Sequence, residues 1–330
     1  MLRKSLMFAA ALTLVGCDNN DKNDEASFRQ GLPSKEMVEM KSPRKDEGGQ
    51  GKVSPFYGQG TLSENFVLTA ATTVTVNGST LWVLDLVQDI VRHPPSSIEG
   101  DVAVWGPYSN ALGLITWKLT VTRTGEDTYS YALEGKGKAQ DDSAYKTVLS
   151  GSHTAAVDGS GERKPGYGSG EFLIDWDHNA ALPGNDTRDV GSVEIRYART
   201  SATSVATVEA DFQQVRDDEV VGGRLDARYR YARTPTDGGE LDFVIEKDID
   251  ADPTRLAEEK LAIKSRWEPT GAGRSDIKLS GGDLVGEATL NECWDTSFLS
   301  VYYVASYNPF VGYGEVAACG SFGAAVYSTL

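Results

Sequence analysis

Apolar and polar residues alternate along most of this chain. Within 114–124, Ile115, Trp117, Leu119 and Val121 fall on one side, and Thr116, Lys118, Thr120 and Thr122 on the other. Tyr129, Tyr131 and Leu133 repeat the alternation, as do Val193, Ile195 and Tyr197. Leu225, Ala227, Tyr229 and Tyr231 lie opposite Asp226, Arg228 and Arg230; Leu241, Phe243 and Ile245 follow, then Leu261, Ile263 and Trp267. Period two marks a strand with one face buried and one wet, the habit of antiparallel sheets. Gly125-Glu-Asp, Asp158-Gly-Ser-Gly, Asp237-Gly-Gly, Gly271-Ala-Gly and Gly281-Gly supply turns between the runs. About a dozen strands result, more than one flat open sheet ordinarily carries. The expected fold is mainly β: a large antiparallel sheet, curved or barrel-like.

The pattern changes between residues 56 and 95. Phe66-Val67-Leu68 and Thr72–Val76, rich in β-branched residues, predict a strand pair within 56–77. After Ser79, a good N-cap, Leu81, Leu84, Val87 and Val91 recur at helical spacing, and Trp82, Val83, Leu86 and Ile90 widen the apolar face. Pro94-Pro95 ends this helix, expected over about 79–92. So apolar a helix needs burial on most sides, so it is expected against or inside the sheet, covering its apolar face. On the other face both signs of charge occur: Glu194 and Arg196, Glu209 and Asp211, Arg228 and Arg230, Asp242 and Glu246, Lys264 and Arg266. If successive strands are neighbours, acid faces base.

The first residues read as an address. Arg3 and Lys4 precede the apolar run Ser5–Val15, which suits a signal peptide over 1–16. The run ends in Leu14-Val15-Gly16-Cys17, which resembles the lipobox of bacterial lipoprotein precursors. The resemblance covers about 17 residues. It implies that Cys17 carries fatty (palmitate-type) chains and opens the mature protein, held at a membrane of the cell envelope by its lipid anchor. More than one acyl chain gives stable anchoring where a single chain does not. Residues 18–55, opening with Asp-Asn-Asn-Asp-Lys-Asn-Asp-Glu and broken by Pro33, Pro43 and Gly48-Gly49, read as a disordered tether, with a docked arm at Met37–Met40 as the alternative. The β-rich domain then occupies 56–330.

The chain has 330 residues and a net charge of −16, which sets its surface against phosphate backbones, so nucleic acid is not an expected partner. With Cys17 lipidated, Cys293 and Cys319 remain. An oxidising compartment favours a disulfide, worth about 3 kcal/mol in the loop-entropy model, pinning last strands at Phe298–Ala305 and Gly314–Ala318; two buried thiols are the alternative. A redox pair is disfavoured because no CxxC spacing occurs.

Two acidic loops have calcium-like spacing: Asp248, Asp250, Asp252 and Glu259, and Asp175, Asp177, Asn179 and Asp186. Both depart from the EF-hand pattern, with Pro253 and Ala180 where glycine makes the sharp turn and strand-like flanks. Ca2+ is thus the one cofactor the sequence offers. His93 follows the helix, His153 lies in a strand and His178 between Asp177 and Asn179. Ser152, His153 and Asp158 can be drawn as a triad, although nothing singles them out, and no HExxH, G-x-S-x-G, P-loop or GxGxxG occurs. No catalytic residue is assigned and the reading leans away from an enzyme. It favours a lipid-anchored envelope protein binding a hydrophobic ligand or an envelope partner through its sheet. The alternatives are a structural lipoprotein with a filled core and an envelope hydrolase.

Overall fold

A computed structural model describes residues 19–43, 58–185, 189–217, 222–248, 254–255 and 257–330. Two short helices come first, α1 (Asn19–Gln30) and α2 (Lys35–Val38), then one long helix, α3 (Glu64–Val91). The strands follow: β1 (Ser97–Glu99), β2 (Val102–Tyr108), β3 (Ile115–Arg123), β4 (Thr128–Gly137), β5 (Lys146–Val157) and β6 (Arg163–Asp175). A one-turn helix, α4 (Trp176–Ala180), separates these from β7 (Ser192–Arg199), β8 (Ala206–Arg216), β9 (Arg224–Arg233), β10 (Gly239–Lys247), β11 (Glu259–Trp267), β12 (Gly273–Gly281), β13 (Ala288–Trp294) and β14 (Ser300–Ala305).

The protein is mainly β, as its alternating pattern predicts. Every strand pairs antiparallel with its sequence neighbours, giving one 14-stranded meander in the order β1 to β14. The sheet is not closed; β1 and β14 are its edges. Register aligns inward positions: Leu119 opposite Leu133, Ile195 opposite Ala210, Phe243 opposite Ile263 and Ile263 opposite Ile277. Outward positions place acid against base, as expected for sequential neighbours: Glu209 opposite Arg230, Asp211 opposite Arg228, Asp242 opposite Lys264. A meander sends alternate turns to opposite rims. The front rim carries the β2–β3, β6–β7, β8–β9, β10–β11 and β12–β13 turns and the chain after β14. The back rim carries the β3–β4, β5–β6, β7–β8, β9–β10, β11–β12 and β13–β14 turns.

The strand pair expected within 56–77 does not form. Helix α3 begins fifteen residues before Ser79, capped by Ser63, whose Oγ accepts the Phe66 N–H at 3.1 Å. Its buried stripe runs Asn65, Thr69, Thr73, Val76, Thr80, Val83 and Leu84, Val87, Ile90 and Val91, the spacing of one helical face. Threonine normally argues for strand. Here its hydroxyls bond back to helix carbonyls, Thr69 to Asn65 at 2.6 Å and Thr80 to Val76 at 2.7 Å, so they cross the interface satisfied. Helix α3 is long and apolar enough by composition to cross a bilayer, yet this stripe packs on the sheet. Its end before Pro94 is as predicted.

The disordered tether is also corrected where it is described. Phe28, Leu32, Met37, Val38 and Met40 are buried, and their segment docks as an arm. Phe28 meets Tyr129 edge-on at 6.1 Å beneath the Arg123 guanidinium. Ser27 Oγ bonds Tyr129 Oη at 2.6 Å, Met40 exchanges two hydrogen bonds with the Asn77 amide of α3, and the Lys41 N–H donates to Tyr231 Oη. Five apolar anchors within thirteen residues offset the ordering entropy that average composition says they cannot. Residues 44–57 lie outside the described residues, as do 1–18 with Cys17.

The Cys293–Cys319 disulfide is present, with Cα atoms 5.4 Å apart. It ties β13 to a 3₁₀ turn, Val316–Phe322, where a strand was expected over Gly314–Ala318; strand pairing there stops at one bridge, Tyr303 to Tyr313. The remaining chain crosses the outer sheet face. Arg274 donates to the Phe322 and Gly323 carbonyls, and buried Asp276 accepts from Arg274, Asn291 and the Val326 N–H.

Candidate functional site

Near the middle of α3 the helix and sheet part to leave a cleft of about 440 Å³, the size of a small ligand pocket. Thr75, Val76 and Ser79 line it from α3, and Phe212, Val215, Leu225, Ala227, Tyr229 and Ile245 from β8, β9 and β10. The β6–β7 connection adds Trp176, Asp189 and Val190, and the end of β8 adds Arg216. All the strand contributions come from the front-rim ends, so the mouth opens on that rim.

A defect in β8 shapes the opening. Register slips between Phe212 and Val215, and Gln214 takes φ 53°, held by its N–H donating to Asp226 Oδ1 at 2.8 Å. Such a bulge bends a strand and re-aims its side chains. Beneath it runs an aromatic ladder: Trp176 stacks on Phe212 at 5.9 Å, Phe212 meets Tyr229 edge-on at 5.2 Å, and Tyr229 stacks on Phe243 at 4.8 Å. Burial drives the Tyr229 phenol well above its ordinary range, so it presents a neutral hydroxyl. The sheet wall is mostly apolar and aromatic, while the polar lining is Thr75 and Ser79 on the helix side together with Asp189 and Arg216.

A depression of the same volume lies on the outer face, lined by Glu194, Arg196, Glu209, Asp211, Arg228 and Arg230. Its charges are spent on one another. Arg196 pairs with Glu194 at 2.7 Å and Asp211 at 3.5 Å, and Arg230 with Glu209 at 3.0 Å. Exposed pairs of this sort form a solvated surface.

The other sequence candidates do not assemble a site. Ser152 and His153 are consecutive on β5 and face opposite sides of the sheet; Asp158 caps its own turn through Ser160 and Glu162. His153 is buried, its Nδ1 2.8 Å from Tyr197 Oη, and burial lowers its pKa to about 4. Gly168 makes room for it, since a Cβ there would lie 2.3 Å from the ring. His93 stacks on Tyr108, and His178 Nδ1 lies 2.8 Å from the Thr147 carbonyl.

In the 175–186 loop, Asp175 caps α4 through the His178 N–H at 2.7 Å, Asp177 accepts the Gly191 N–H at 3.1 Å, and Asn179 accepts from Asn185. These oxygens serve the local backbone and the neighbouring amide; Asp186 lies outside the described residues. In the other loop Asp248 follows β10 and Glu259 is buried at the start of β11, while Asp250 and Asp252 lie outside the described residues. Among the described residues no group of three or more His, Cys, Asp or Glu is placed to hold a metal ion.

No family model matches the chain, and no curated protein or solved structure matches it. The cleft and its surroundings therefore carry the functional argument. Sequence reasoning missed it because its walls come from segments far apart in the chain; a local signal was Ala227, the small residue among the inward positions Leu225, Tyr229 and Tyr231 of β9.

Proposed function

We propose that this is a lipid-anchored cell-envelope protein that binds a hydrophobic ligand, such as a fatty acyl chain, in the cleft between α3 and the front-rim ends of β8–β10. The cleft is the observation that carries the reading: its sheet wall is apolar and aromatic, its polar residues lie on the helix side and at the mouth, and it is large enough for a chain segment and open at one rim. The lipobox-like Leu14–Cys17 supplies the location. Cys17 stands seven residues before Asp24, whose carboxylate lies 3.4 Å from Arg123 at the back rim. With residues 19–24 inside α1, that leash reaches about 15 Å at most. A lipidated chain thus sits close to its own bilayer by the back rim, with the cleft mouth turned away.

Native mass spectrometry of the protein extracted from membranes tests the reading, together with titration of a fluorescent apolar probe, N-phenyl-1-naphthylamine. Ala227→Phe and Thr75→Trp each fill the cleft, the second from an exposed helix position. Co-purified lipid and probe binding weakened about tenfold or more in both variants are expected, since each excludes several methylenes. Absence of both lipid and probe binding, or binding unchanged in the variants, would overturn the proposal in favour of a structural lipoprotein.

A further inference from the structure

We infer that the front rim is a membrane-docking edge that seats on the surface of a net-neutral, zwitterionic bilayer, one facing it from the side opposite the bilayer that would hold the Cys17 anchor. The two rims differ in one respect above others. At the front rim Leu112 is 97% exposed, Phe310 96% and Val285 fully, and Leu114, Tyr307 and Val311 stand out beside them. At the back rim Val157 and Val205 are the comparable residues, both nearer half exposed. A soluble surface scatters apolar side chains; here the three most exposed ones, Val285, Leu112 and Phe310, all stand on one rim, at the β2–β3 and β12–β13 turns and after β14.

The tips are held, not loose. In the β2–β3 turn, Lys138 Nζ donates to the Asn110 and Ala111 carbonyls and the Gly113 N–H to Asn110. Beyond β14, Asn308 caps the turn that presents Phe310, and the Tyr303–Tyr313 bridge closes its base. Fixed protrusions lose little entropy when they insert.

Their distribution selects the occupant. Leu112 and Phe310 lie at opposite edges of an open 14-stranded sheet, with Val285 one turn in from the second edge. Single side chains spaced along a rim make no contiguous patch of the roughly 1,000 Å² that a protein interface needs. A bilayer surface is fluid and continuous, and accepts separate insertions; Tyr and Phe are at home at its interfacial depth. With a net charge of −16 the chain opposes anionic lipid, which leaves zwitterionic headgroups. The mouth of the cleft opens on the same rim, so docking would bring it against acyl chains. The inference takes its cargo from the proposed function, but the docking stands without it.

The test uses the chain from residue 17 onward carrying Cys17→Ser, so that neither an acyl anchor nor the apolar run Ser5–Val15 contributes. An environment-sensitive dye is attached through Phe310→Cys, Leu112→Cys or, at the back rim, Thr236→Cys; the bonded Cys293 and Cys319 do not react. On phosphatidylcholine vesicles the dye at 310 and 112 is expected to brighten about threefold and shift to the blue, while that at 236 stays as in water. Adding Val285→Asp is expected to weaken vesicle binding about tenfold. Equal responses at all three sites, or none at any, would overturn the inference. So would brightening at 310 without vesicles that grows with protein concentration, which would mean that the tips pair two copies. Ala227→Phe must leave the dye response intact while weakening probe binding about tenfold, which separates failure of docking from failure of the cleft.

Discussion

The inner face of the sheet has two covers, and they are built differently. Helix α3 spans about 42 Å at 1.5 Å per residue and buries an unbroken stripe from Asn65 to Val91. The arm through α1 and α2 covers the back-rim halves of the central strands with five apolar side chains and a few cross-links to Tyr129, Asn77 and Tyr231. Remove α3 and the sheet loses its core. Remove the arm and α3 still holds the other half. Stability in one sheet is thus uneven, and the cover nearer the N-terminus is the weaker one.

Core truncation gives the largest effect and the sharpest contrast. Leu84, fully buried on α3, is expected to cost about 2–5 kcal/mol on Leu84→Ala, read as a drop in the urea midpoint of the whole molecule. Phe28→Ala removes a larger side chain, yet its loss is capped by the arm's own docking free energy. It is expected to expose 24–43 to protease while shifting the global midpoint less than Leu84→Ala does. Equal midpoint shifts would erase the distinction between the covers.

The same contrast decides what could be read from the sequence. The strands were legible because their inward positions are large and apolar and their outward ones charged, so the sheet and its cross-strand pairs followed from period two. The half of α3 after Ser79 was legible for the same reason, through Val83, Leu84, Val87 and Ile90. The half before it was not: three of its four buried positions are Asn65, Thr69 and Thr73, with Val76 the fourth, and the two threonine hydroxyls close on helix carbonyls, Thr69 Oγ1 also lying 2.6 Å from Ser265 Oγ. A hydroxyl stripe has helical period but no hydropathy contrast. The arm registered only as the alternative at Met37–Met40, and Phe28 and Leu32 not at all, because five anchors are diluted by Lys, Glu and Pro. The cleft was invisible because a bulge in β8 and a gap beside α3 are properties of long-range assembly.

A smaller effect comes from the polar cluster on β5–β7, of which α2 packs against β6 and β7. His153 is depressed from 6.5 to about 4 by burial. The unfolded chain therefore takes up a proton below about pH 6.5 that the folded one refuses until about pH 4. Stability is full above the higher value and is lost as pH falls through that window, by about 3 kcal/mol at 1.36 kcal/mol per unit. His153→Gln, which keeps a partner for the Tyr197 hydroxyl, is expected to remove this part of the pH dependence. Identical slopes for the two proteins between pH 7 and pH 4 would place the titration elsewhere.

The smallest expected effect lies where α3 begins. Ser63 is buried, and its Oγ accepts the Phe66 N–H, while Glu292 on β13 accepts the Asn65 N–H at 3.0 Å. Two of the four free N–H groups of the first turn are thus met from different elements. Ser63→Ala removes one of them, at a cost of about 1 kcal/mol. Because the first turn stacks Phe66 on Phe298 at 4.1 Å, fraying there would loosen the β13–β14 turn before it loosened the rest of the sheet. Hydrogen exchange should accordingly show faster amides at 66–68 and 298–300 with those of β3–β6 unchanged. Uniform acceleration would mean instead that this end of α3 is coupled to the whole sheet, and that the stronger cover has no weak end.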